Sequence, residues 1–388
     1  MLQNPYQPRS IPPYLAGRDG ELTDIEHVWS PMLVTGKAAQ SMPVLYGVRG
    51  IGKTSALRFA QTEAAAAGFV TAWASCAKGE SLLDSIPFAI RTAMINADVI
   101  SASKWTTTKF ELEFGIPSFK AKITAEDKAA ASSWSVGSLE SLLRETTNMC
   151  LKRGGSNLGS GLILAIDELH AAKQADLAIL FNAIQNIMYD SLYGPPLMVM
   201  GAGLPSVRGI ATISATFGER IEFIPVDLLP DNAVRKALEV PAKERVIDFD
   251  SSALDLLVAE SANYPYFTQL LGFNTWRAAN GPKEITLEDA KAGAEIAKQK
   301  IMDMYASRWG ATSAGEKRFI EALAELGGSV PVRRKDIAEK LGKDSKALSS
   351  VRERLLNKAV ITEAVVEEKG YVQFTLPGFA DYVKTRLQ

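Results

Sequence analysis

The sequence predicts an α/β fold around a parallel sheet, followed by an all-helical segment and a terminal module of three helices and a β-hairpin. Three observations carry that prediction. Short apolar runs ("MPVLYGV", "FVTAWASC", "LILAID", "LMVMGAG") alternate with amphipathic stretches through the first 230 residues, the pattern of strands covered on both faces. From 231 to about 308 the strand-like runs stop and the pattern is helical throughout. Beyond 309, three helical stretches precede two alternating runs that turn at Lys369-Gly370.

Each element has a local reason. The first 15 residues are rich in proline and predict an extended arm. A helix starts near Asp19, with Leu22, Ile25, Val28 and Trp29 on one face. "MPVLYGV" is a strand running into a glycine turn, and "KTSALRFAQTEAAAAG" is a helix closed by Gly68. With the strand "FVTAWASC" they make a βαβ unit. Residues 82 to 100 read as helix. "TKFELEFGIPSFKAKI" alternates on both sides of Gly115-Ile116-Pro117 and predicts a β-hairpin inserted at about 105–124. "SLESLLRETTNMCLKRG" is an amphipathic helix leading to the strand "LILAID". A helix from about 173 to 192 is broken by Gly194-Pro195-Pro196, and "LMVMGAG" follows as a buried strand. "RIEFIPVDLL" then carries the chain out of the core. The predicted organisation is an arm 1–15, a core 16–230, a helical lid 231–308 and a winged-helix domain 309–388.

Composition narrows the function classes. At 388 residues the chain exceeds one ordinary core. Its 43 basic and 44 acidic residues give a formal charge of −1, so a nucleic-acid partner must be held by a local patch. Two cysteines, Cys76 and Cys150, and two histidines, His27 and His170, supply neither a disulfide framework nor a His/Cys metal site. The N-terminal stretch lacks the apolar core of a signal peptide, and no run approaches membrane-spanning length. The expectation is a cytoplasmic protein with no membrane partner.

One motif carries specific chemistry. Gly47, Val48, Arg49, Gly50, Ile51, Gly52, Lys53 and Thr54 spell G-x-x-x-x-G-K-[ST], with Ser55 next. Glycines let the backbone curl so that consecutive N–H groups face phosphate oxygens, and the following helix turns its N-terminal dipole to the same anion. Lys53 is expected to neutralise the β and γ phosphates and Thr54 to hold Mg²⁺. The run "LILAIDELH" places Asp167 at the C-terminal edge of a buried strand, where ligands of open α/β sheets bind. Asp167 is expected on Mg²⁺, directly or through water, with Glu168 as general base. Taken alone, the first motif is a glycine turn and the second a strand end with two solvated acids. The strand before and helix after the loop, with the acids downstream, decide for the phosphate site.

A second patch lies near the C-terminus. Leu348, Val351 and Leu355 define an apolar stripe. Lys343, Lys346, Ser350, Glu353 and Asn357 take the other face, with Arg354 on its flank. Residues 331–358 hold nine basic and four acidic side chains, a local balance of +5. This predicts a recognition helix with Lys343, Lys346, Ser350 and Arg354 on DNA. The alternative is a protein-docking or structural winged helix, which Glu353, Glu367 and Glu368 favour. The predicted hairpin offers Lys109, Lys120 and Lys122 as further contacts, or is a plain packed edge.

On "LAGRDGELTDI", "GVRGIGKT", "LILAIDELH", "LMVMGAGLP", "FGERIEFIPVDLL", "ESANYPYFTQLLG" and the terminal module, the sequence resembles the AAA+ ATPases. The branch is that of origin-recognition-type proteins, transposition regulators and archaeal-type, STAND-like ATPases. The resemblance implies ATP and Mg²⁺ as ligands and an adenine pocket around Leu15 to Arg18, with Pro265 from the lid beside the nucleotide. It makes Arg220 an arginine finger for a neighbouring subunit, or else an arginine paired locally at the sheet edge.

Two departures stand out. The strand "LMVMGAG" ends in Gly201, Ala202 and Gly203, where relatives place a polar residue on the lytic water. Pro265 and Tyr266 occupy the place of an arginine that reaches the γ-phosphate, and none follows until Arg277. Without both helpers, turnover is expected to be slow or dependent on assembly. The implied function is an ATP-binding, slowly hydrolysing switch that couples nucleotide state to duplex DNA or to assembly, as a homo-oligomer when ATP is bound. The runner-up is a STAND-like signalling or scaffold ATPase whose winged helix and lid hold a protein partner. A metabolic kinase ranks third, because a lid and a winged helix have no evident role in it.

Overall fold

The apolar runs form five short strands: β1 (Met42–Tyr46), β2 (Val70–Ser75), β3 (Leu162–Asp167), β4 (Leu197–Gly203) and β5 (Ile221–Pro225). They hydrogen-bond in the order β2-β3-β4-β1-β5, every neighbouring pair parallel. The computed structural model describes residues 3–77, 79–113, 134–152, 160–190, 194–213, 215–279, 283–363 and 370–387. The chain falls into two units, Arg18–Gly47 with Lys53–Val226, and Met1–Gly17 with Val48–Gly52 and Asp227–Gln388.

The first unit holds the five-stranded sheet. Every residue of β1, β3 and β4 is buried, which is why these strands read as unbroken apolar runs rather than alternating ones. Burying a Leu, Ile or Val side chain there contributes about 1.5–3 kcal/mol. The crossovers are helices, as parallel strands require. Helix α1 (Asp19–Thr35) precedes the first strand, and the crossovers include α2 (Lys53–Ala66), α3 (Leu82–Asn96), α4 (Thr107–Glu113), α5 (Val136–Leu151) and α6 (Gln174–Tyr189). The core includes Ile86, Ile90, Leu142, Leu164, Ile166, Phe181 and Val199. No helix among the described residues is long and apolar enough to cross a membrane.

Two expectations need correction here. "RIEFIPVDLL" leaves the sheet-bearing unit at Asp227 as expected, but its first part is a strand: β5 pairs with β1 through Met42↔Ile221 to Tyr46↔Pro225 and closes one edge of the sheet. The alternating stretch after 105 is not a strand at its start, since Thr107–Glu113 is the helix α4. Phe110 is buried in the main core, edge-on to Trp105 at 6.2 Å, and Arg91 donates two hydrogen bonds to the Trp105 carbonyl. Docking of one aromatic into the core outweighs a short alternating pattern. Lys109, a proposed DNA contact, lies over the Trp105 ring at 5.0 Å. The remainder of the expected hairpin, with Lys120 and Lys122, lies outside the described residues.

The second unit is helical, then mixed. α7 (Ala215–Gly218) still belongs to the first unit, and α8 (Asp231–Lys243), α9 (Ser251–Ser261), α10 (Pro265–Ala279) and α11 (Leu287–Gly310) follow. Val234, Leu238, Leu254, Leu257, Leu271 and Trp276 form their core. The N-terminal arm is pinned to them. Tyr6 is buried and donates to the Leu238 carbonyl, Asn4 donates to the Phe273 carbonyl, and the Gln7 amide donates to Gln269.

The expected division at 308/309 falls inside α11. Arg308 donates to Thr375 Oγ1 at 3.0 Å and to the Ala359 carbonyl, and Tyr305 donates to the Pro377 carbonyl. Two two-residue strands, β6 (Asp248–Phe249) and β7 (Glu284–Ile285), pair in parallel beside those helices, and the terminal module contains α12 (Ala314–Glu325), β8 (Val332–Arg333), α13 (Arg334–Lys340) and α14 (Ser349–Asn357). β9 (Ile361–Glu363), β10 (Tyr371–Phe374) and α15 (Phe379–Lys384) complete it. Its three strands run antiparallel in the order β8-β10-β9. Lys369 and the acids Glu367 and Glu368 lie outside the described residues.

Candidate active site

In the sheet-bearing unit, the chemistry gathers at the C-terminal ends of β1, β3 and β4. Lys53 and Thr54 open α2, and Lys53 is buried although it is a lysine. Thr54 Oγ1 donates to Asp167 Oδ2 at 2.8 Å, so the hydroxyl and the carboxylate expected around one Mg²⁺ are already adjacent. Asp167 is buried at the last position of β3 and accepts the Glu168 amide at 2.9 Å through its other oxygen. Glu168 has φ 54°, a left-handed backbone that costs a non-glycine residue about 1 kcal/mol. That turn points the strand's exit into the 3₁₀ turn Leu169–Ala171 and leaves the Glu168 side chain 50% exposed.

The local field is negative. Burial, then Asp167, Asp176 and Glu168, push the Cys76 thiol up to about 12. Burial pulls the Arg58 guanidinium down while Asp167 opposes it, and Arg58 stacks over the Trp73 ring at 3.4 Å. A hydroxyl and a carboxylate oxygen in a negative field are the donor set of a hard divalent cation, so the residues present fit Mg²⁺.

Val48–Gly52 belong to the other unit. Gly50 and Gly52 have φ 82° and 97°, conformations that any side chain resists. A Cβ on Gly50 would stand 2.4 Å from the Tyr264 hydroxyl, which donates to the Arg49 carbonyl. Burial pushes the Tyr264 hydroxyl up to about 12. Ile51 is buried, Val48 half-buried and Arg49 exposed, while Gly47 and Ser55, in the sheet-bearing unit, are half-buried.

The other expected residues are placed as follows. Arg18 is buried and pairs with Glu21 at 3.1 Å, in the sheet-bearing unit. Leu15 and Pro265, the latter opening α10, are half-buried in the other unit. The Arg220 guanidinium lies over the Tyr189 ring at 4.5 Å and donates to the Gln40 carbonyl at 3.3 Å, the arrangement of an arginine paired locally.

In the terminal module, Lys343, Lys346 and Ser350 are exposed, and Leu348 and Leu355 are buried as the stripe requires. The helix is shorter than its periodicity: Ser345–Leu348 is a 3₁₀ turn capped by Asp344, and α14 begins only at Ser349. Arg354 does not stand free for DNA. Its Nε is 3.1 Å from Glu316 Oε1, and Lys358 Nζ is 2.7 Å from Oε2 of the same buried carboxylate. Burial opposes ionisation of Glu316, but Lys358, the Ser313 amide and Arg354 outweigh it and hold the carboxyl at about 2. Arg352 is likewise bound to Glu363 at 2.8 Å.

Residues missed by sequence reasoning are Arg58, Tyr264 and His170. His170 Nδ1 accepts the Leu204 amide at 3.2 Å, and its Nε2 lies 3.5 Å from Glu168 Oε2. Its position two residues after Glu168 was the only available signal, because Leu204 is remote in sequence.

Residues 14–199 match the AAA ATPase domain, and residues 302–383 match a domain of unknown function, DUF8462. No curated protein matches the chain by sequence. Among solved structures, the Walker-type ATPase PABY2304 of Pyrococcus abyssi is similar at 18% identity and TM-score 0.59, over 95% of this chain and 96% of that one. The Aeropyrum pernix ORC2 protein, in its ADPNP–ADP complexes, is similar at 14% identity and TM-score 0.54, over 98% of this chain and 97% of that one. The fold is that of a P-loop AAA+ ATPase, a five-stranded parallel sheet with helices.

Proposed function

We propose that this chain is an ATP-binding, slowly hydrolysing switch that couples its nucleotide state to DNA binding or to self-assembly. The observation that carries the reading is the Thr54–Asp167 hydrogen bond, which sets a metal-ligating pair at the head of the helix that follows the glycine loop. Lys53 would hold the β and γ phosphates, the backbone of Gly47–Thr54 would cradle them, and Thr54 and Asp167 would take Mg²⁺. When bound, that cation neutralises the phosphate oxygens. Glu168 would orient a water and accept its proton. The rate is expected to be low, since Gly201, Ala202 and Gly203 bring no side-chain donor and Arg220 is engaged locally.

The terminal module supports a winged-helix reading through its three helices and the sheet β8-β10-β9. Lys343, Lys346 and Ser350 are its exposed candidates for duplex DNA. A second reading, a module that docks a protein, is favoured by the pairing of Arg354 and Lys358 with Glu316 and of Arg352 with Glu363.

Light-scattering sizing with ATP, duplex DNA, neither and both tests the proposal. The expected result is an ATP-dependent mass increase with duplex retained in the complex. A mass and a duplex affinity both indifferent to ATP would overturn the switch. An ATP-dependent mass change without any duplex retention would move the reading to the protein-docking alternative.

A further inference from the structure

The end of β4 lacks the polar side chain that would attend the reacting water, and another element reaches that place. The 3₁₀ turn Leu169–Ala171 lies directly against Gly203: a Cβ there would meet His170 N at 3.3 Å and Val207 Cβ at 2.9 Å. The glycine therefore does more than omit a donor. It leaves room for the close approach of Val207 and of the turn that carries His170.

The imidazole then spans from the strand end to the acid. Its Nδ1 accepts the Leu204 amide at 3.2 Å, and its Nε2 lies 3.5 Å from Glu168 Oε2, with the ring 17% exposed. An atom that accepts an amide N–H carries no proton, so a neutral ring bears its single proton on Nε2 and points that donor at Glu168. Glu168 needs such a partner. Its side chain is half exposed, and its left-handed backbone fixes where the chain goes but not where the carboxylate points.

We infer that His170 is the positioning residue for Glu168, tying the carboxylate to the end of β4 in place of a strand-end polar side chain. The inference rests on the reading of Glu168 as the base. His170 takes no proton in the reaction; the proton of the attacking water goes to Glu168. The 3.5 Å separation is longer than a formed hydrogen bond, and such contacts commonly tighten once substrate is in place.

The test is steady-state ATP hydrolysis by the full chain as wild type, His170→Ala, His170→Gln, Glu168→Gln and the His170→Ala/Glu168→Gln double variant. Removing an outer-shell partner typically costs about 10–100-fold in activity. His170→Ala should lower kcat by that amount with KM for ATP within about twofold, since ground-state binding is untouched. His170→Gln, whose amide nitrogen can reach the Nε2 position, should recover part of the loss. In the Glu168→Gln background His170→Ala should cost nothing more, because the two act as one unit.

If Glu168→Gln turns over like wild type, the base reading fails. If Glu168→Gln is inactive while His170→Ala keeps its kcat, or loses only in KM, the base stands and the inference is overturned. An independent readout needs no turnover: ¹⁵N NMR of the imidazoles, assigned with His27→Ala because the chain has two histidines. The Nε2–H tautomer is expected at His170, and the Nδ1–H tautomer would contradict it.

Discussion

The end of the parallel sheet and the basic face of the terminal module both look, in sequence, like places for phosphate. They differ in how their charges are held. At the sheet, Asp167 meets a hydroxyl and an amide, and Glu168 lies beside an imidazole, neutral groups rather than the fixed charge of a lysine or arginine. In the module the chain supplies the counter-charges itself. Lys340 pairs with Glu325, Arg352 with Glu363, and Arg354 and Lys358 with Glu316. Those three acids lie outside the window 331–358, so the nine basic and four acidic residues counted there, +5, become +2 once the three are included. A run of basic residues measures phosphate affinity only after its own carboxylates have been subtracted.

Substitutions at three places sharpen that contrast. The largest effect is expected at the sheet: Glu168→Gln should lower kcat by about 10²–10⁴-fold while ATP still binds. Single-turnover and equilibrium binding measurements separate the two. Next comes the module's counter-charge. Glu316→Ala removes the N3 acid of the Ser313 capping box and the partner of two cations, and should lower stability by about 1–2 kcal/mol in a denaturant titration. The acid dependence follows from the depressed carboxyl. Glu316 contributes fully above its ordinary value of 4.5, and the contribution fades as pH falls toward about 2. Glu316→Gln should therefore flatten the stability profile between those values, and a profile identical to wild type would remove Glu316 from the account. The smallest effect belongs to Lys343→Ala with Lys346→Ala. If duplex binds there, the slope of log K against log salt should drop by about two, one for each phosphate contact. An unchanged slope would take both lysines off the DNA.

What could be read in the sequence follows the same division. β1, β3 and β4 were legible because burial on both faces leaves unbroken apolar runs, and the glycine loop and Asp167-Glu168 stand at the ends of such runs. β5 was not, because an edge strand with alternating exposure looks like an exit from the core. α4 was misread because a seven-residue stretch alternates in sequence, while its conformation is set by Phe110 entering the core. β8 spans two residues, too few for any periodicity. The partners that define Arg354 and His170, Glu316 and Leu204, are 38 and 34 residues away. Spacing placed Arg354 on the right helix but said nothing about what holds it, and it gave His170 no role.

The central claim is that the loop from Gly47 to Thr54 holds the phosphates of a nucleotide whose Mg²⁺ is taken by Thr54 and Asp167. Calorimetric titration of ATP with Mg²⁺ into wild type and Lys53→Ala tests it most directly. Wild type should bind with an affinity that falls when Mg²⁺ is chelated. Loss of a charge-assisted phosphate contact worth about 1.5–3 kcal/mol should weaken Lys53→Ala by roughly 10- to 150-fold. Undiminished affinity in a folded Lys53→Ala protein would contradict the phosphate assignment.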